Sequence, residues 1–111
     1  MAKHVYDKIV VLQHYDEDID GYADVPDLPA LHAHINPAYF STEKNEGKAM
    51  QDDVTMDFYL RYFPLLKAVV KRPQLYRLMW EGDAYDLVGG DDYHLEHSEV
   101  RLRGVIANGG R

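Results

Sequence analysis

Val54-Thr55-Met56-Asp57-Phe58-Tyr59-Leu60-Arg61-Tyr62 alternates two kinds of side chain without a break. Val54, Met56, Phe58, Leu60 and Tyr62 fall on one side of a period of two, and Thr55, Asp57, Tyr59 and Arg61 on the other. Successive side chains of a strand point to opposite faces, so this pattern predicts a half-buried strand whose apolar side faces a core. Downstream, Leu65, Leu66, Ala68, Val69 and Val70 lie between Pro64 and Pro73. Pro64 suits the first position of a short helix and Pro73 would end it, while the β-branched pair Val69-Val70 favours a strand, so both readings stand. Next, 75–80 and 84–88 bracket Glu81-Gly82-Asp83, the signature of a hairpin with a glycine turn. Val100, Leu102 and Ile106 mark a last strand, before a flexible tail at 108–111.

Upstream, 5–15 contains the β-branched run Ile9-Val10-Val11-Leu12, read as a strand with both faces partly covered. Asp16-Glu17-Asp18-Ile19-Asp20-Gly21 is then a solvated hairpin-type loop. It places a Gly sixth from Asp16, as a calcium loop would, but the twelfth position is Asp27 rather than Glu, and no helix signal flanks it. Two prolines make 25–31 an extended connector, and Leu31-His32-Ala33-His34-Ile35 a second short strand ending at Pro37. From 37 to 53 the apolar pattern disappears into a polar loop too long for an ordinary connection, which marks it as either disordered or functional. Six or seven short strands with regularly spaced turn signals predict an all-β fold, a small antiparallel barrel or sandwich, with one long inserted polar loop and at most one short helix.

Composition bounds the function. The 111 residues fit one domain, and 46% hydrophobic with 28% charged residues is the make-up of a folded globular chain. Twelve Lys and Arg against 19 Asp and Glu leave a formal charge of −7, which disfavours a tight grip on nucleic acid or docking on an anionic membrane. With no Cys there is no disulfide, thiolate nucleophile or Cys-type zinc site. Met1-Ala2-Lys3-His4 leads into a mixed-polarity segment, so no secretory signal is expected, and no apolar run reaches the roughly 18 residues of a membrane span.

Six histidines raise a metal-centre hypothesis. His32 and His34 share one face of a strand, and His94 or His97 could complete a His/carboxylate set. The His-x-His pattern resembles the cupins, metal-binding β-barrels. However, a cupin places a Glu three or four residues after the second His, and the first Glu here is Glu43. The simpler reading puts both histidines on the solvent face. Neither Ser41 nor Ser98 sits in a nucleophile elbow. Asp52-Asp53 and Asp91-Asp92 read as solvated loop charge, and Gly89-Gly90 lacks the Lys and Ser/Thr of a phosphate cradle. No enzyme signature emerges from these residues. Tyr supplies nine of the aromatic residues, and Tyr59 and Arg61 face away from the apolar stripe, where a protein partner would find them.

Taken in order, these segments resemble the head-completion, or stopper, proteins of the head-to-tail connector in long-tailed double-stranded DNA phages. The likeness covers roughly 6–106. It runs from Asp7-Lys8-Ile9-Val10-Val11-Leu12 and the acidic turn, through Leu31-His32-Ala33-His34-Ile35-Asn36-Pro37 and a polar loop with Ser41 and Glu43, to Leu60-Arg61-Tyr62. It continues in the hairpin Leu75-Tyr76-Arg77-Leu78-Met79-Trp80-Glu81-Gly82-Asp83-Ala84-Tyr85-Asp86-Leu87-Val88-Gly89 and closes with Glu99-Val100-Arg101-Leu102-Arg103-Gly104-Val105. The family often has Trp where Leu31 or His32 stands, and the 64–73 segment is longer here. The resemblance implies a non-enzymatic structural virion protein, without cofactor or metal, at the head-to-tail interface, assembled in the host cytoplasm as a sixfold or twelvefold homo-oligomeric ring. Its partners would be the portal-adaptor ring, the tail terminator or tail tube, and packaged DNA passing through the lumen, with no membrane contact. The 37–53 loop, with Ser41, Glu43, Lys44, Glu46, Lys48, Asp52 and Asp53, would face the lumen and gate it. Tyr59, Arg61, Arg77, Arg101 and Arg103 would contact neighbouring subunits or partners. A tail terminator or adaptor ring of the same neck, and a cupin-like metal enzyme, are the alternatives.

Overall fold

A computed structural model describes residues 5–38, 55–92 and 98–106. Seven strands account for most of them: β1 Lys8–Asp16, β2 Gly21–Asp24, β3 Leu31–Pro37, β4 Thr55–Arg61, β5 Tyr76–Trp80, β6 Asp83–Asp92 and β7 Glu99–Ile106. Every pairing is antiparallel, and the order β1-β3-β4-β7-β6-β5 returns to β1, closing a six-stranded barrel. The seventh strand, β2, shares an edge of β1 with β3. Residues 13–16 of β1 pair with β2, and residues 8–10 pair with β3. The prolines at 26 and 29 lie in the connector where the chain leaves one of these pairings and enters the other.

The alternation in 54–62 holds in β4, where Phe58 and Leu60 are buried and Arg61 is exposed. Each barrel strand contributes residues at i and i+2, or a single one, to one interior: Val10 and Leu12, Ala33, Phe58 and Leu60, Leu78, Tyr85 and Leu87, Val100 and Leu102. Closure leaves no open barrel edge for another chain to extend. The Tyr85 ring stands edge-on to Phe58 at 5.3 Å, and burial pushes its hydroxyl pKa upward.

The ambiguous segment between the prolines is a helix, α1, Leu65–Lys71, with Pro64 at its N-cap. Leu66 and Val69 are fully buried in the same core as the barrel strands. Burial of that apolar stripe overrides the β-preference of Val69-Val70. A single 3-10 turn, Pro73–Leu75, leads into β5. The hairpin turn has positive φ at both Glu81 (52°) and Gly82 (87°), the geometry that matches the twist of flanking strands.

Two expectations need correcting. The acidic segment is a hairpin loop as its composition predicts, but the residues after it form a strand, β2, that the sequence pattern does not reveal because Gly21-Tyr22-Ala23-Asp24 is too short to show a period. Asp91-Asp92 belongs to β6 rather than to a loop. That strand passes through Gly89-Gly90 with a bulge between Leu87 and Gly89. The second strand ends at Pro37, where the sequence places its end, and Pro37 pairs with Met56. The rest of the polar segment, 39–53, lies outside the described residues, as do 93–97 and 107–111. Its entry and exit meet where the Ala38 N–H donates to the Thr55 carbonyl at 2.9 Å. No helix among the described residues is long and apolar enough to cross a membrane.

Candidate functional site

The outward face of β4 and β7 carries a ladder of polar and aromatic side chains because their registers align odd positions. Asp57 lies opposite Arg103, Tyr59 opposite Arg101, and Arg61 opposite Glu99. On the other side of β4, Asn36 faces Asp57 and His34 faces Tyr59. Four of the five residues expected to contact partners, Tyr59, Arg61, Arg101 and Arg103, therefore converge on one face.

At one end of the ladder Asp57 is 6% exposed, although it belongs to the strand's outer side. The Arg103 guanidinium covers it, donating through Nε at 2.8 Å and through its terminal nitrogen at 3.0 Å. Arg101 lies 4.0 Å from the Asp91 carboxylate, and its Nε is buried without a hydrogen-bond partner among the described residues. In the middle, the His34 ring tilts over Tyr59 with centroids 5.8 Å apart. Its Nδ1 lies 3.3 Å from the Val5 carbonyl oxygen, which can only accept.

Tyr6 organises the far end. Its ring stacks against the Arg61 guanidinium, 5.0 Å from the centroid, and its hydroxyl donates to the Glu99 carboxylate at 2.6 Å. Burial, and then the bond to Glu99, push the Tyr6 pKa up to about 12, with Arg61 pulling modestly the other way. Beside this stack opens a cleft of about 530 Å³ lined by Tyr6, Leu31, His32, Arg61, Tyr62 and Phe63. A smaller recess of about 190 Å³ lies between α1 and the strand ends, with Tyr62, Leu66, Val70 and Val100 as its apolar walls.

Arg77 stands apart from these. It lies on β5, on the opposite side of the barrel, because the pair β4/β7 and the pair β5/β1 are diametrically placed in the six-strand order. Its Nε donates to Gln13 at 2.8 Å, and its guanidinium lies 4.6 Å from the Tyr22 ring centroid on β2. The Gln13 amide donates to Asp24, and Tyr22 donates to the Gln74 carbonyl. This network ties the projecting hairpin to the barrel.

Ser41, Glu43, Lys44, Glu46, Lys48, Asp52 and Asp53 lie outside the described residues, as do His94 and His97. His32 and His34 share a face, as strand spacing requires, but among the described residues no group of three or more His, Asp or Glu side chains is arranged to hold a metal. Tyr6, Asp57 and Glu99 were not singled out from sequence. The pairing of Tyr6 with a residue 93 positions away leaves no local signal. The ladder and cleft offer planar aromatic and guanidinium faces held in place by hydrogen bonds, which is a surface suited to recognising protein. No protein-family model matches the chain, and no curated protein matches it either.

Proposed function

We propose that this chain is a structural subunit of the neck of a long-tailed double-stranded DNA phage, acting as the stopper ring between portal-adaptor and tail. The observation that carries the proposal is the placement of two chemically distinct surfaces on opposite sides of one closed barrel. One is the Tyr59/Arg61/Arg101/Arg103 ladder on β4 and β7, and the other is the Arg77 network on β5, β1 and β2. A closed ring is built from heterologous contacts, in which each subunit presents two different patches. Barrel closure is compatible with the reading, since the six barrel strands present side-chain surfaces, while the short β2 keeps its outer edge.

In this reading the polar segment between β3 and β4 faces the lumen. Glu43, Glu46, Asp52 and Asp53 outnumber Lys44 and Lys48. A sixfold ring would carry on the order of −42 in formal charge, which lets DNA pass without being gripped. Deleting the coding sequence from a phage that encodes it tests the role. The expected phenotype is separate heads and tails, with heads that lose their packaged DNA. Normal yields of joined, infectious particles would contradict it. Heads that retain DNA but join to tails of irregular length would move the role to the tail terminator.

A further inference from the structure

We infer that two copies of this chain associate by inserting the tip of the β1–β2 hairpin of one copy into the Tyr6/His32/Arg61/Tyr62/Phe63 cleft of the next. The inference deepens the ring reading and rests on it. The hairpin tip is an acidic knob with an aliphatic apex. Ile19 is 59% exposed, and Glu17 and Asp18 beside it are exposed carboxylates. The tip is already ordered without a partner. The Ile19 and Asp20 N–H groups donate to the Asp16 and Glu17 carbonyls, the Asp18 N–H to the Asp16 side chain, and the Tyr15 hydroxyl to Asp20 at 2.5 Å. Tyr15 also stands edge-on to Tyr22 across the hairpin at 5.7 Å. A preorganised knob loses little entropy on docking.

The cleft has the complementary chemistry. Its walls are aromatic and aliphatic, and its rim carries the exposed side chains of Arg61 and His32. Arg61 stacks on Tyr6 at the cleft's edge, opposite Glu99 in the β4–β7 register, with its side chain exposed to solvent. An occupant should therefore be apolar at its apex and negative at its shoulders. Ile19 flanked by Glu17 and Asp18 has that pattern.

The hairpin cannot serve its own cleft. Val10 pairs with Leu31 at the cleft, whereas Asp16 at the arm's end lies six residues further along the same strand. At the rise of a β-strand that is about 20 Å, directed away along β1. The contact is therefore between molecules and heterologous, so its repetition closes a ring or extends a filament.

Three variants at exposed positions test it: Ile19→Ala, Arg61→Glu, and the double variant Glu17→Arg with Asp18→Arg. Self-association is read by sedimentation up to about 1 mM chain. Circular dichroism and melting temperature serve as checks on folding. Removing the Ile19 side chain should weaken self-association about tenfold, and either charge reversal about a hundredfold or more. Mixing the two charge-reversed proteins in equal amounts should restore it, because each arm then meets a cleft of opposite sign. Wild-type protein that remains monomeric throughout overturns the inference, as does self-association unchanged in all three variants. Neither of those results touches placement in the virion, which the deletion phenotype tests separately.

Discussion

Asp57 and Arg103 face each other across β4 and β7, joined by two hydrogen bonds at 2.8 and 3.0 Å, with the carboxylate 6% exposed and the guanidinium partly in solvent. Removing one partner strands the other in a half-dry site. Asp57→Ala should therefore cost about 2 kcal/mol in urea unfolding, the range for a hydrogen bond to a charged group. The double variant Asp57→Val with Arg103→Leu should cost clearly less than the sum of its parts, because no unpaired charge remains. Additive losses would mean that the pair contributes only through packing.

The glycines at 89 and 90 should behave differently from each other. A Cβ on Gly90 would sit 2.9 Å from Leu102 Cδ2 and 3.1 Å from Val70 Cγ2, whereas one on Gly89 would meet nothing within 4 Å. Gly90→Ala is expected to destabilise by about 1–3 kcal/mol through overpacking between α1 and β7. Gly89→Ala should stay within about 0.5 kcal/mol of the parent. Paired thermal melts of the two variants check this.

Tyr6 gives the fold an alkaline limit. Its pKa is raised from 10.0 to about 12 in the folded protein. For a raised pKa the associated stability is fully present below the unfolded value and is lost as pH climbs through the folded one. Stability should accordingly fall between about pH 10 and 12, and Tyr6→Phe should flatten that part of the profile. At neutral pH the same variant should loosen the Arg61 end of the ladder, because the bond to Glu99 is gone. Urea titrations across that pH window, parent against variant, provide the measurement.

The barrel was legible in the sequence where burial is one-sided. The 54–62 alternation placed Phe58 and Leu60 inside, and the Glu81-Gly82 turn placed the hairpin, because both signals are local. Sidedness misplaced Asp57. Period two assigns it outward, and only the cross-strand arrival of Arg103, 46 residues later, buries it. The 65–71 segment could not be resolved from propensity, since Val69 favours a strand until the barrel core supplies apolar neighbours. The same limit applies to the site. Tyr59, Arg61, Arg101 and Arg103 are readable as outward residues on two strands, but their convergence, and the separation of Arg77, follow from a strand order that no local pattern encodes.

Deleting 44–48 separates the barrel from the proposed gate. The connection 39–54 begins and ends at adjoining residues, closed by the Ala38–Thr55 hydrogen bond, so shortening it leaves the strand pairing intact. The melting temperature should change little, while DNA-filled heads lacking tails should leak their DNA. Undiminished DNA retention would remove the plugging role without affecting the ring.

Electron cryomicroscopy of intact virions, with the barrel fitted into the vertex where capsid meets tail, is the most direct measurement. A ring of six or twelve copies between the portal-adaptor and the tail, with β4 and β7 of one subunit facing β5 and β1 of the next, is the predicted result. Complete virions with no copy of this chain at that vertex would contradict the proposed role.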